Sequence, residues 1–317
     1  MSAPDAPSSI VPVSFRLNGT DPAAFAAALG ASFERHGFAV VADHGIGGAL
    51  SAAMLEDAKA FFALPAAVKA GYRVIGGAGQ RGYTPFAVET AKGGAHPDLK
   101  EFWHVGRETA QRRGPLYDNL WPSEVPAFRS DALALYAAFE AFGGQTLAAI
   151  GAYLGLAAGF LGNAVRDGES VLRLLHYPPM DVSADFAGPA VRAGPHEDIN
   201  AITLLLGAEE AGLELLDRDG AWRPINPPPG AVVVNIGDML ARLTNDVLPS
   251  TTHRVVNPAP ARRGVARYSM PFFLHFRSDF LIRTLPGCVT ATRPDRYPEP
   301  ITAGDFLQQR LRDIRLA

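Results

Sequence analysis

Val171-Leu-Arg-Leu-Leu-His176-Tyr177-Pro178-Pro179 opens the stretch of the chain whose reading decides the fold. After it come short apolar and β-branched runs: Ala201–Leu206, Leu213–Leu216, Trp222–Ile225, Ala231–Ile236, Thr252–Val256 and Arg267–Phe276, separated by Pro, Gly and Asp. Such runs fit a pleated, half-buried surface and read as strands, and Asp219-Gly220 supplies a hairpin turn between two of them. No segment between them is long enough to be a helical crossover. The pattern therefore predicts an antiparallel barrel or double-sheet jelly roll rather than a parallel sheet.

Upstream of this stretch the pattern changes to helix. Asp131 to Glu140 alternates as an amphipathic helix and runs into the uncharged segment Ala141 to Val165, which is long enough to cross a bilayer. Its glycines, with Gln145, Thr146 and Asn163, point instead to a buried core helix that breaks near Gly155 and Gly159. The first third is mixed. Thr20 or Asp21 can cap a helix with Pro22 in its first turn, Phe25, Leu29 and Phe33 follow at helical spacing, and Gly37 ends it before a strand at Phe38–Ala42. A second helix, about Ala49 to Phe62, stops before Pro65. Gly76 to Pro97 reads as a long loop, and a last helix spans about Ala303 to Ile314. The expected organisation is mainly β with flanking helices: a mixed N-terminal region at 1–130 packed on a core at 131–317 that carries the long helix, the jelly roll and the C-terminal helix.

Composition narrows the function classes. In 317 residues, 29 Lys+Arg balance 32 Asp+Glu for a formal charge of −3, and charged residues make up only 19%. This excludes a polybasic nucleic-acid binder and a disordered acidic chain. Cys288 is alone, so there is no internal disulfide or thiolate cluster, and any metal must use nitrogen and oxygen ligands. Met1 to Leu17 has no basic segment followed by an apolar one, and a cytoplasmic protein is expected. Gly77-Ala-Gly79-Gln-Arg-Gly82 matches a dinucleotide fingerprint in letters only. Tyr83-Thr84-Pro85 follows where a helix should begin, so a flexible loop is the better reading.

Pro195-His196-Glu197-Asp198 is more informative. In an extended segment residues i and i+2 project to one side, so His196 and Asp198 can grip one ion, and His253 on a distant strand can supply a third ligand. Two imidazoles and one carboxylate on one face of an octahedral metal leave the other face open, the arrangement of non-haem Fe(II) oxygenases. By the same logic Arg267 and Ser269 share a side of the next strand, where a guanidinium and a hydroxyl can hold a carboxylate. Met270 to Leu274 continues that strand as buried, so an arginine at its inner end calls for an anionic partner such as a small diacid.

Further stretches extend the pattern in order: Gly37-Phe-Ala-Val-Val-Ala-Asp-His44-Gly45-Ile46, Gly82-Tyr83-Thr-Pro with Glu89, Asp98-Leu-Lys-Glu101-Phe, Leu175-His176-Tyr177-Pro-Pro179, Gly212-Leu-Glu-Leu215, Asn235-Ile-Gly-Asp238 and Leu243-Thr-Asn245. Together with the histidine and arginine motifs they resemble the isopenicillin N synthase-like family of Fe(II)- and 2-oxoglutarate-dependent dioxygenases. The resemblance implies a double-stranded β-helix (jelly roll) core. It implies Fe(II) on His196, Asp198 and His253, and 2-oxoglutarate held through its distal carboxylate by Arg267 and Ser269 with a hydrogen bond from Tyr177. It also implies O2 as oxidant, and oxidation of a small-molecule substrate, usually by hydroxylation, with release of succinate and CO2. Two departures stand out. Leu175 occupies a place where many plant members carry Asn, and Ala259 to Gly264 adds turn residues between His253 and Arg267. An Fe(II) oxidase that does not use 2-oxoglutarate and a non-redox metal-binding sensor or carrier are the alternatives. The oligomeric state stays open with a monomer favoured. Gly76–Pro97 and Met180–Arg192 are the expected lids, and Tyr83, Phe86, Phe102, Arg242 and Phe273 the expected pocket walls. Asn235 and Asp238 are expected to hold a turn, Thr244-Asn245 to pin a loop, and Trp222 to lie in the core.

Overall fold

A computed structural model describes residues 10–77, 79–90, 96–109, 118–180, 191–206 and 211–313. The N-terminal elements are β1 (Val13–Ser14), α1 (Leu17–Thr20), α2 (Pro22–His36), β2 (Phe38–Ala42), α3 (Gly48–Phe62), α4 (Ala66–Ala70), β3 (Gly82–Thr84) and β4 (Glu101–Gly106). The long helix α5 (Phe128–Tyr153) and the short α6 (Phe160–Val165) lead into β5 (Val171–Tyr177), β6 (Ala193–His196), β7 (Ile202–Leu206), β8 (Leu213–Leu216), β9 (Trp222–Pro224) and β10 (Val232–Ile236). Then come α7 (Asp238–Leu243), β11 (His253–Val255), β12 (Arg267–Leu274), β13 (Leu281–Ile282), β14 (Ile301–Thr302) and α8 (Ala303–Asp313).

The boundaries follow local chemistry. Asp21 caps α2 by accepting from the Ala24 N–H at 3.0 Å, with Pro22 at the first helical position. Gly37 ends it at φ +67. A Cβ there would lie 2.5 Å from the Pro249 carbonyl oxygen, so glycine lets the chain turn into β2 against the segment that leads to His253. Thr251 Oγ1 donates to His36 O at 2.8 Å and fastens the two.

Eight strands form one sheet in the order β1-β2-β10-β7-β12-β5-β4-β3, and four form a second in the order β6-β11-β8-β9. This is the expected jelly-roll core. The N-terminal strands β2 and β4 pair directly with β10 and β5 and so extend the large sheet. Along β12 the side chains alternate. Phe272 faces the helices, its ring stacked on Phe139 of α5 at 5.5 Å, while Phe273 faces the space between the sheets. Helix α5 buries Phe128, Leu135, Phe139 and Phe142, as expected of a core helix, and it ends before Gly155 and Gly159.

Some expectations need correction. The segment read as one long loop contains β3, which pairs with β4, and Tyr83 within it is buried. Ala193–His196 forms a strand that the sequence pattern did not signal. Trp222 is half-buried, with the Arg254 guanidinium 4.0 Å above its ring, because β9 is the edge of the small sheet. No helix follows Gly82, in keeping with rejection of the dinucleotide fingerprint. Residues 78 and 91–95 of the first expected lid and 181–190 of the second lie outside the described residues.

Candidate active site

Both sheets line a cavity of about 560 Å3 that is open to solvent. Three side chains that could hold a metal converge on it. His196 and His253 are direct register partners across β6 and β11, which sets their rings 4.4 Å apart, centroid to centroid. Asp198 follows β6, and its carboxylate oxygens lie 4.0 Å from His196 Nε2 and 3.9 Å from His253 Nε2. The three ligand atoms lie within 4.8 Å of one another.

The surroundings prepare each group for a cation. His196 Nδ1 is 2.7 Å from Gly194 O and His253 Nδ1 is 3.1 Å from Thr251 O, so each imidazole engages a backbone carbonyl through Nδ1 and turns Nε2 to the centre. Burial, with His253 opposite, pushes the His196 imidazole down to about 4, which leaves a neutral ring with a free Nε2 lone pair at pH 7. Burial alone would raise the Asp198 carboxyl, but the two imidazoles, Asn235 and Thr203 outweigh it and hold it below the ordinary range. Asn235 Nδ2 donates to Asp198 Oδ2 at 2.8 Å, and Thr203 Oγ1 donates to the same oxygen at 2.5 Å. The Asp198 backbone is fixed as well: Asp238 N donates to its carbonyl at 2.7 Å. The close pass requires Gly237, where a Cβ would sit 2.2 Å from Asn200 O. A set of two imidazole nitrogens and one carboxylate, with an exposed side at His196, fits a divalent metal with open coordination positions.

Arg267 and Ser269 line the same cavity from β12, paired in register with Tyr177 and Leu175 of β5. All four are buried. The Arg267 guanidinium lies 5.1 Å from the centroid of the Tyr177 ring, which limits its rotation. The six residues expected at the site thus surround one space. Leu175 offers no hydrogen bond there.

Other expectations fail. Phe273 lines the cavity, whereas Tyr83, Phe86, Phe102 and Arg242 are not among its lining residues. Tyr83 donates to Glu101 behind the sheet, Phe102 packs with Leu175 and Tyr177, and Arg242 reaches Glu299 O at 2.6 Å and stacks on Tyr297. These directions are set by neighbouring strands, which periodicity does not name. Asn235 supports Asp198 instead of a turn, and Asp238 pairs with Arg310 of α8 at 2.7 Å. Asn245 does pin a loop, donating to Cys288 O at 3.2 Å and Pro294 O at 3.1 Å.

Asn235, Thr203, Arg173 and Lys100 also line the cavity and were missed as site residues. The available signal was a polar residue inside an apolar strand, as in Val232-Val-Val-Asn235-Ile or Val171-Leu-Arg173-Leu-Leu, which needs a buried partner. Arg173 lies between two rings, 4.2 Å from the Phe102 centroid and 5.1 Å from that of Phe273. Its Nε donates to His104 Nε2 at 2.5 Å and its Nη1 reaches Glu89 at 3.4 Å. No described residue accepts a hydrogen bond from Nη2.

Comparison with known proteins agrees with this geometry. Residues 168–276 match the model of the 2OG-Fe(II) oxygenase superfamily, and residues 10–124 match the N-terminal model of non-haem dioxygenases in morphine synthesis. A 2-oxoglutarate-Fe(II) type oxidoreductase of Emericella nidulans is 33% identical over 289 residues, which cover 87% of this chain and 81% of that protein. A 2OG-Fe(II) oxygenase family protein from Caulobacter crescentus superposes with a TM-score of 0.88 at 60% identity, covering 97% of this chain and 99% of the other. A full-length Neurospora crassa protein, solved in complex with alpha-KG (2-oxoglutarate), superposes with a TM-score of 0.86 at 30% identity, covering 96% of each chain. The chain belongs to the 2OG-Fe(II) oxygenase superfamily and is a 2-oxoglutarate-dependent oxidoreductase.

Proposed function

We propose that this oxygenase, of the isopenicillin N synthase-like branch, holds Fe(II) on His196, Asp198 and His253 and holds 2-oxoglutarate through Arg267, Ser269 and Tyr177. The substrate we propose is a small, flat molecule bearing a carbonyl or carboxylate. The observation that carries the reading is that the set of two nitrogen ligands and one oxygen ligand and the arginine-serine pair face one cavity from two different sheets. Bound iron would supply the redox centre at which O2 gives one oxygen atom to 2-oxoglutarate, yielding succinate and CO2, and the other to oxidation of a substrate C–H bond. The chain's own residues do the rest. Arg267 meets the distal carboxylate with a charged fork, Ser269 and Tyr177 add hydroxyl donors, and the apolar walls Leu175, Leu205 and Phe273 limit water around the reacting groups.

Support for the substrate class comes from Phe273, a ring wall, with Arg173 beside it as a donor. The Neurospora crassa protein has also been crystallised with alpha-KG and thymine, a molecule of this class, and in that complex superposes with a TM-score of 0.85 at 29% identity. A cytoplasmic setting belongs to the same proposal, in keeping with a single, buried cysteine.

The test is an anaerobic titration with Fe(II) and then 2-oxoglutarate, followed through the weak visible charge-transfer band of a chelated 2-oxo acid, with Arg267→Ala as control. The band should form in the wild type and weaken in the variant. Iron binding without a band in the wild type would overturn the cosubstrate assignment. Succinate release with a panel of flat carbonyl compounds, thymine first, then tests the substrate class.

A further inference from the structure

His196 sits on a weakly held strand. β6 is the outer strand of the small sheet and pairs only with β11 among the described strands, and the register shifts between His253 and Val255. Pairing alone leaves the β6 position soft, because an edge strand with an irregular ladder has one side unsupported. The other side of β6 is occupied by the segment around Asp98. Gly194 N donates to Asp98 Oδ1 at 2.9 Å, and Leu99 N donates to Val191 O at 3.1 Å. The carbonyl of the same Gly194 is the group that holds His196 Nδ1.

Asp98 is itself braced. Its Oδ2 is 2.8 Å from Lys100 Nζ, and Lys100 Nζ is 2.9 Å from Glu89 Oε1. Glu89 in turn pairs with Arg173 at 3.4 Å, and Asp98 N donates to Glu89 O at 2.9 Å. Asp98 and Lys100 are about 5% exposed. Such a buried chain of paired charges resists displacement, because moving any member leaves a charge unpaired.

We infer that Asp98 and Lys100 are positioning residues for the metal centre, through a strut that runs Arg173–Glu89–Lys100–Asp98–Gly194 to His196. The strut holds Gly194 through its N–H, the Gly194 carbonyl on the next peptide unit holds the His196 ring, and the ring presents Nε2 to the ion. Outer-shell partners of a metal ligand commonly change affinity by about 10–100-fold when removed. The inference rests on the assignment of His196 as a ligand.

The experiment is a titration of purified protein with Co(II), reading the visible d–d absorption for both affinity and ligand geometry, with folding checked by near-UV circular dichroism. Asp98→Ala removes the acceptor for Gly194 N–H and should weaken Co(II) binding about 10–100-fold with an altered band shape. Asp98→Asn keeps an oxygen acceptor for Gly194 N–H and should retain Co(II) affinity markedly better than Asp98→Ala does. The paired variant Asp98→Leu with Lys100→Met removes the acceptor together with both adjacent charges, and it should lose affinity as Asp98→Ala does even if Asp98→Ala alone folds poorly. Wild-type affinity in the paired variant overturns the strut. So does a loss in Asp98→Asn as large as in Asp98→Ala, since charge balance rather than the Gly194 bond would then be at work. His196→Ala, titrated in parallel, separates the premise: if it retains Co(II) affinity the ligand assignment fails, and if it loses affinity while the Asp98 variants do not, only the strut fails.

Discussion

Removing either charge of the Lys69–Glu101 pair should destabilise the protein far more than removing both. The pair lies behind the Tyr177 wall of the cavity. Glu101 stands opposite His176 in the β4–β5 register, while Tyr177, the next residue along β5, turns to the cavity. Lys69 Nζ reaches the two Glu101 oxygens at 3.0 and 2.8 Å and donates to Phe62 O at 3.0 Å. His176 Nδ1 is 2.7 Å from Oε1, and Tyr83 OH donates to Oε2. Side-chain exposure is 10% for Lys69 and 5% for Glu101, so water cannot replace a lost partner. Breaking a buried pair by removing one member costs about 3–5 kcal/mol, whereas neutralising both is often close to neutral. At about 2 °C per kcal/mol for a chain of this size, Lys69→Met and Glu101→Gln should each lower Tm by about 6–10 °C. The double variant should lose less than either single variant, since the Gln oxygen still accepts from Tyr83 OH, its NH2 can donate to His176 Nδ1, and no charge remains. Differential scanning fluorimetry of the four proteins closes the cycle. Losses that add within about 1 °C would refute the reasoning, because they would mean the two charges do not sense each other.

Three further outcomes follow from the site and its surroundings. Asn235→Ala deprives Asp198 of a hydrogen bond to a charged group, worth about 1.5–3 kcal/mol, so Co(II) affinity should fall about 10–100-fold; an unchanged titration would remove Asn235 from the support of the metal. Arg267→Ala should weaken 2-oxoglutarate binding by at least about 30-fold, the low end of the cost of truncating a buried charge partner, while Co(II) affinity stays put; equal loss of both would mean that the arginine serves the fold instead. His275 is buried and its imidazole is pushed down to about 4, by burial first. As pH falls below 6.5 the unfolded chain takes up this proton before the folded one, so up to about 3 kcal/mol of stability is lost between pH 6.5 and 4. Urea midpoints at pH 7, 5.5 and 4.5 should show a shallower decline in His275→Gln than in wild type, and parallel declines would sink the assignment.

What could be read in the sequence divides along the range of the interactions. Asp21, Pro22 and Gly37 mark the ends of α2 because capping and left-handed turns are settled within a few residues. Strands β5, β7, β10 and β12 announce themselves because buried apolar runs bounded by turn residues have few other places to go. The fold follows from their number and spacing. Strand β6 does not announce itself: Ala193-Gly-Pro-His196 has poor strand propensity and is extended because β11 pairs with it on one side and Asp98 holds it on the other. The same division runs through the site. The convergence of His196, Asp198 and His253 is legible because the chemistry of a metal restricts which side chains can serve, whatever the path between them. Tyr83 and Phe102 were misplaced because β3 and β4 are buried on both faces, so alternation told inside from outside nowhere along them. Asn235 was misread for a related reason. Beside Gly237 and Asp238 it looks like part of a turn, and only the β10–β7 register, which sets Asn235 opposite Thr203, aims both residues at one oxygen of Asp198. The candidate ligands are thus written in residue type, while their supports are written in strand register, a relation between segments that no local pattern carries.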